Sequence, residues 1–129
     1  MSTIQIGVDL AKSVFEVAVS PAPGVVTSRH RLSRTAFPRF LAGHASAEVL
    51  LEACGSAHYW GREAQRLGHR VTLLHPADVA RYRDGNKTDR ADTKALLEAA
   101  RNESLSPVPV KSVEQQAALC VHRLRQGLV

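Results

Sequence analysis

The stretch KTDRADTKAL, residues 87 to 96, carries two aspartates, Asp89 and Asp92, in the opening turns of a segment otherwise rich in alanine and leucine. At about 100° per residue they share one helix face with Leu96, Ala99 and Ala100, while Lys87, Arg90, Lys94, Glu98 and Arg101 fall on another. A first-turn carboxylate such as Asp89 is accounted for by the helix dipole. Asp92 lies one turn further in, where that account weakens. Two more acids stand where the pattern expects a buried or rim position: Asp9 near the end of the first strand and Glu52 at the end of an apolar strand. Each alone also fits a rim residue satisfied by water. Together they suggest a cluster, and unit charges about 4 Å apart repel by about 4 kcal/mol at an effective dielectric of about 20, so a cluster needs a compensating cation. Mg²⁺ or Mn²⁺ supplies it through hard oxygen ligands, and two such ions about 3.5 to 4 Å apart clamp the attacking and leaving oxygens of a phosphodiester.

Those four positions need a scaffold to bring them together. Ile4, Ile6, Val8 and Leu10 alternate with Thr3, Gln5, Gly7 and Asp9, and SVFEVAVS follows a short AK connection, which predicts a β-hairpin. SPAPG makes a turn into VVTSRHRLS, a third strand, and residues 35 to 43 read as a short helix. AEVLLEA, residues 47 to 53, is nearly continuously apolar up to Glu52, as a central strand covered on both faces should be. GSAHYWGREAQRLG fits a helix with Ser56 as N-cap and Gly68 as its stop; the strand HRVTLLH and the short helix PADVARYR follow. The helix carrying Asp89 and Asp92 then runs to about Arg101. The fold class is α/β: a hairpin sheet extended by crossover units.

The stretch NESLSPVPVK reads as the one linker, which puts a catalytic domain at residues 1–104 and the linker at 105–111. Beyond it, Ser112 and Gln115 form a capping-box signature, and Val113, Ala117, Val121, Leu124 and Leu128 trace one apolar stripe across residues 112–129. That stripe predicts a helix that packs on a partner or on sequence beyond the chain, or else folds back on its own domain.

Composition sets outer bounds. Seventeen Lys and Arg against twelve Asp and Glu give a net charge of +5, favouring a polyanionic partner, while 5% aromatic residues leave no stacking platform for single strands. There is no apolar run of membrane-spanning length and no signal-peptide pattern, so a cytoplasmic location is expected. Cys54 and Cys120 are far apart and read as reduced, buried thiols; the six histidines show no ligand spacing. Ser13 and Ser56 read as caps, Tyr59 and Trp60 as core or interface aromatics.

Asp9 in IGVDLAKS, Glu52 in LEACGS, and Asp89 and Asp92 in NKTDRADTKAL resemble the motifs of the DEDD transposases of the insertion sequence 110 family, relatives of the Piv/MooV-type recombinases. The resemblance extends through LLHPADVARYRDGNKTDRAD and the downstream VKSVEQQAAL, covering essentially the whole chain. It implies a RuvC-like domain with an RNase H fold, in which Asp9, Glu52, Asp89 and Asp92 form the catalytic tetrad and bind two Mg²⁺ or Mn²⁺ ions. It implies DNA as substrate, in the bacterial cytoplasm, with cleavage and exchange of strands in transposition. It further implies a coiled-coil helix that builds dimers or tetramers, and a C-terminal domain bearing a nucleophilic serine, from which this chain would be truncated. Some members are guided by a structured RNA; Arg81, Arg83, Lys87, Arg90 and Lys94 are then candidate phosphate contacts, with a solvated basic face as the other reading.

Three rivals remain. One is a RuvC-like structure-specific nuclease. Sugar kinases and actin-like ATPases also begin with a strand like IGVDLAKS, but they need a second phosphate hairpin and an adenosine site, and neither is found here. The last is a metal-free nucleic-acid-binding or oligomerisation module, which should tolerate Asp92→Asn where a two-metal enzyme should not.

Overall fold

A computed structural model describes residues 4–11, 13–83 and 89–119 of the chain. The alternating start pairs as the pattern demands. β1 (Gln5–Leu10) and β2 (Val14–Ser20) run antiparallel with Val8 opposite Val17, and β3 (Ser28–Ser33) continues the antiparallel edge. On the other side of β1 lie β4 (Glu48–Glu52) and β5 (Arg70–Leu74), both parallel to it, in the order β3-β2-β1-β4-β5. Parallel neighbours need crossovers, and helices supply them: α1 (Ala36–Gly43) precedes β4, and α2 (Gly55–Arg66) joins β4 to β5. α3 (Pro76–Ala80) and α4 (Asp89–Ala100) follow. Element order and type are those expected from the sequence, and the mixed sheet is consistent with the RNase H-like fold.

Period-two alternation sends side chains to both faces of this sheet, and each face has its own core. Ile6, Val8, Phe15, Val17, Val49, Leu51 and Leu73 pack against Phe37 and Leu41 of α1 and Ala57, Trp60 and Ala64 of α2. Phe15, Phe37 and Trp60 meet edge to face there, with centroids 5.2 to 5.5 Å apart. On the opposite face Ala18, Leu50 and Leu74 pack against Val79 of α3 and Ala95, Leu96, Leu97 and Ala99 of α4. α4 lies close because Gly7 has no side chain: a Cβ there would stand 3.2 Å from the Thr93 carbonyl oxygen and 3.4 Å from Leu97 Cγ.

Gly68 does stop the α2 segment, at φ +93°, and the N–H of His69 reaches back to the Ala64 carbonyl at 3.0 Å. Ser56 is not the N-cap. Extended backbone continues through Cys54, which takes the cap position without a side-chain bond to the helix N–H groups, and Ser56 lies inside the first turn. That placement at a surface turn also leaves the Cys54 thiol exposed, contrary to the expected burial; Cys120 lies outside the described residues. His69 is a satisfied core histidine: Nδ1 accepts from the Ala47 N–H at 3.1 Å, so Nε2 donates to the Leu41 carbonyl at 2.6 Å.

The proline-containing stretch after α4 is fastened to the domain. The Val108 N–H donates to the Leu73 carbonyl at 2.8 Å along the edge of β5, and Val108 and Val110 pack on the core of the α1/α2 face. From α2, Arg62 donates to the Lys111 carbonyl (2.5 Å) and to Gln116 Oε1 (2.7 Å), and His58 Nδ1 accepts from the Lys111 N–H (3.0 Å). The capping box forms: Ser112 Oγ accepts from the Gln115 N–H and Gln115 Oε1 from the Ser112 N–H, opening a helix at 113–119. Val113 starts its stripe exposed, and Val121, Leu124 and Leu128 lie outside the described residues.

Candidate active site

The β1–β4 register pairs Gly7 with Leu50 and Val8 with Leu51. One step further sets Asp9 beside Glu52, at the carboxyl ends of two parallel strands and on the α4 face. Ligand and catalytic groups gather at such strand ends in open α/β sheets because the crossovers leave a crevice there. Asp92 comes down on that crevice from α4 and is nearly buried, its side chain 7% exposed. Asp89 opens α4; its side chain lies outside the described residues.

Between Glu52 and Asp92 stands Arg83, in the turn after α3. Its Nε donates to Asp92 Oδ1 at 2.6 Å and its Nη2 to Glu52 Oε2 at 3.1 Å. The arginine side chain is 20% exposed and Glu52 33%, so the pair opens partly to solvent while Asp92 stays buried. Two carboxylates separated by 40 positions in sequence (92 − 52) thus aim at one positive charge. Among the described residues no three Asp, Glu, His or Cys side chains are placed to hold a metal ion together.

The other expected basic contacts are dispersed. Arg81 is exposed, 3.9 Å from Asp78, and Lys94 is exposed, 3.9 Å from Glu98 one turn on. Lys87 and the side chain of Arg90 lie outside the described residues. Sequence reasoning missed Arg29 and Arg101. With Lys94 they line a cleft of about 240 Å³ beside α4, where Arg29 Nη1 donates to Thr93 Oγ1 (3.0 Å) and Arg101 Nη2 to Ser20 Oγ (2.8 Å). Only the helical position of Arg101 was visible in the pattern, because the strand partner that orients it is 81 residues away.

The family model of DEDD transposases of the insertion sequence 110 type, described as transposase, matches residues 6–129. The chain belongs to this transposase family. Among curated relatives of the family, a protein named "Probable family 20 transposase" from Pseudomonas aeruginosa is 45% identical over all 129 residues, which cover 38% of its own length. The transposase for insertion sequence element IS1328 of Yersinia enterocolitica is 36% identical over 96% of the chain and 37% of the relative. The transposase for element IS1111A of Coxiella burnetii is 36% identical, over 96% of the chain and 34% of the relative. The chain therefore spans little more than a third of the length of these family members.

Proposed function

We propose that this chain carries the divalent-metal-binding catalytic site of a DNA transposase, with Asp9, Glu52, Asp89 and Asp92 as the ligands of two Mg²⁺ or Mn²⁺ ions. The observation that supports it best is the convergence of Glu52 and Asp92 on a single cation at the carboxyl end of the parallel strands. Carboxylate oxygens from different elements around one positive charge are the donor chemistry a hard divalent ion takes. When bound, such ions supply charge stabilisation to the attacking and leaving oxygens of a phosphodiester. The chain's own part is positional. β1 and β4 set Asp9 and Glu52 at neighbouring strand ends, and α4, seated close on Gly7, brings Asp92 to the guanidinium that it shares with Glu52.

DNA is the substrate in this proposal, and its backbone lies along the basic residues that flank α4. Arg81, Lys87, Arg90 and Lys94 are the phosphate contacts, and the cleft of Arg29 and Arg101 extends that charge past Lys94, whereas Arg83 is engaged by Glu52 and Asp92. The net charge of +5 also suits a guide RNA bridging two DNA sites. Self-association as a dimer or tetramer through the helix that begins at 113 belongs to the same proposal. No described helix is long and apolar enough to cross a membrane.

The ion pairs of Arg83 also favour a second reading, a nucleic-acid-binding module whose carboxylates are closed without metal. One experiment separates the two. With Mn²⁺ and DNA carrying the element's ends, Asp9→Ala and Asp92→Ala proteins should bind within about twofold of the wild type yet lose cleavage and joining, as expected when charge stabilisation is removed with the scaffold intact. Intact strand transfer in either variant would sink the catalytic assignment.

A further inference from the structure

We propose that Arg83 is the resident counter-ion of the carboxylate site, and that a divalent ion enters by exchange with its guanidinium. The inference rests on the metal reading above and adds to it what holds the two carboxylates side by side. Asp92 is almost fully shielded, and a buried carboxylate facing a second carboxylate is costly unless a cation is shared between them. Arg83 is that cation. Its planar fork offers Nε to one acid and Nη2 to the other, at 2.6 and 3.1 Å, a span that a single ammonium point charge does not reproduce.

Two consequences follow from where these atoms lie. The guanidinium occupies Asp92 Oδ1 and Glu52 Oε2, so an ion held through these two oxygens would have to displace it. With Arg83 in place, the Glu52–Asp92 pair presents a net charge of minus one rather than minus two, which weakens the pull on an incoming ion. The same contacts that hold the two carboxylates in place therefore lower their affinity for metal. Arg83 is a positioning residue: it acts on the carboxylates and leaves when they take up their ion.

The test is calorimetric titration of Mn²⁺ into the wild-type chain, Arg83→Gln and Arg83→Lys, with circular dichroism to check each fold. Exchange predicts that Arg83→Gln binds Mn²⁺ at least about tenfold more tightly, the weight of one charge-assisted hydrogen bond given up, with Arg83→Lys between. Equal or weaker binding by a folded Arg83→Gln protein, alongside measurable binding by the wild type, would overturn the exchange and leave the metal site standing. Absence of binding in all three proteins would overturn both. A second measurement does not depend on the variants folding. The Nε–H resonance of Arg83 in the wild type should shift on saturation with diamagnetic Mg²⁺, and an unchanged resonance at saturation overturns the proposal.

Discussion

Glu48 and Glu52 stand on one strand, β4, on the same face of the sheet, at its two ends, and they are satisfied in different ways. Glu48 accepts from Gln5 Nε2 (2.8 Å) and Thr72 Oγ1 (2.9 Å), neutral donors on the flanking strands β1 and β5. Its partners are fixed by strand register, so its charge is dispersed by the sheet itself. Glu52 shares Arg83 with Asp92, and all three come from different elements. The first arrangement closes a sheet end. The second holds two acids around one shared guanidinium, the arrangement on which the proposed cation exchange rests. An acid at a strand end is thus not informative by itself; the nature of its partners is what differs between Glu48 and Glu52.

The largest effect should come from breaking this contrast directly. Glu52→Gln is expected to lower Mn²⁺-dependent strand cleavage on the order of 10³-fold, since charge stabilisation by bound metal is worth several kcal/mol and each factor of ten about 1.4. Glu48→Gln keeps the shape and an acceptor oxygen for Thr72, and its rate should stay within about twofold of wild type. Comparable losses in both variants would erase the distinction.

A smaller effect tests the helix that carries Asp92. Gly7 lies on β1 between Gln5 and Asp9, and an added Cβ would press on backbone, the Thr93 carbonyl at 3.2 Å, rather than on a flexible tip. Gly7→Ala should cost about 1 to 3 kcal/mol of stability through overpacking, read from urea unfolding. It should also weaken Mn²⁺ binding by lifting Asp92, while the Glu48 contacts, made between strands, persist. Unchanged metal affinity in the destabilised variant would show that the seating of α4 does not set the site.

Much of this was legible in the sequence because it is written in local patterns. Alternation gave β1 and β2, the apolar run of β4 announced a central strand, and the face shared by Asp92, Leu96 and Ala99 proved to be the buried one. What stayed hidden depends on contacts between distant segments. Nothing around Arg83 distinguishes it from Arg81 two residues earlier, yet one is held by two acids and the other is exposed on a short helix end. The stretch with Pro107 and Pro109 reads as a linker because proline breaks regular structure. Docked on β5, the chain donates to Leu73 through Val108, the residue between the two prolines, so they cost no contact. Ser56 looked like a cap because its residue type suits the role, but strand β4 and the turn after it set where α2 begins.

The smallest expected effect concerns that docked segment and lies away from both glutamates, so it serves as their control. His58 is held below its ordinary pKa of 6.5, first by burial, then by the charges of Lys111 and Arg62. The neutral ring is the form that fits, because Nδ1 accepts the Lys111 N–H. A histidine whose folded pKa is depressed binds fewer protons folded than unfolded, so its contribution is present above pH 6.5 and is lost as pH falls below that value. Thermal unfolding followed from pH about 7.5 down to about 5.5 should therefore show a decline in the wild type. The decline should be shallower in His58→Asn, whose side-chain oxygen can accept in place of Nδ1 without titrating. Equal slopes would mean that the contact between α2 and the segment before the 113–119 helix is not governed by His58. Mn²⁺ affinity at constant pH should not change in this variant, whereas a change would couple the docked segment to the carboxylates and join two regions that the structure keeps on opposite faces of the sheet.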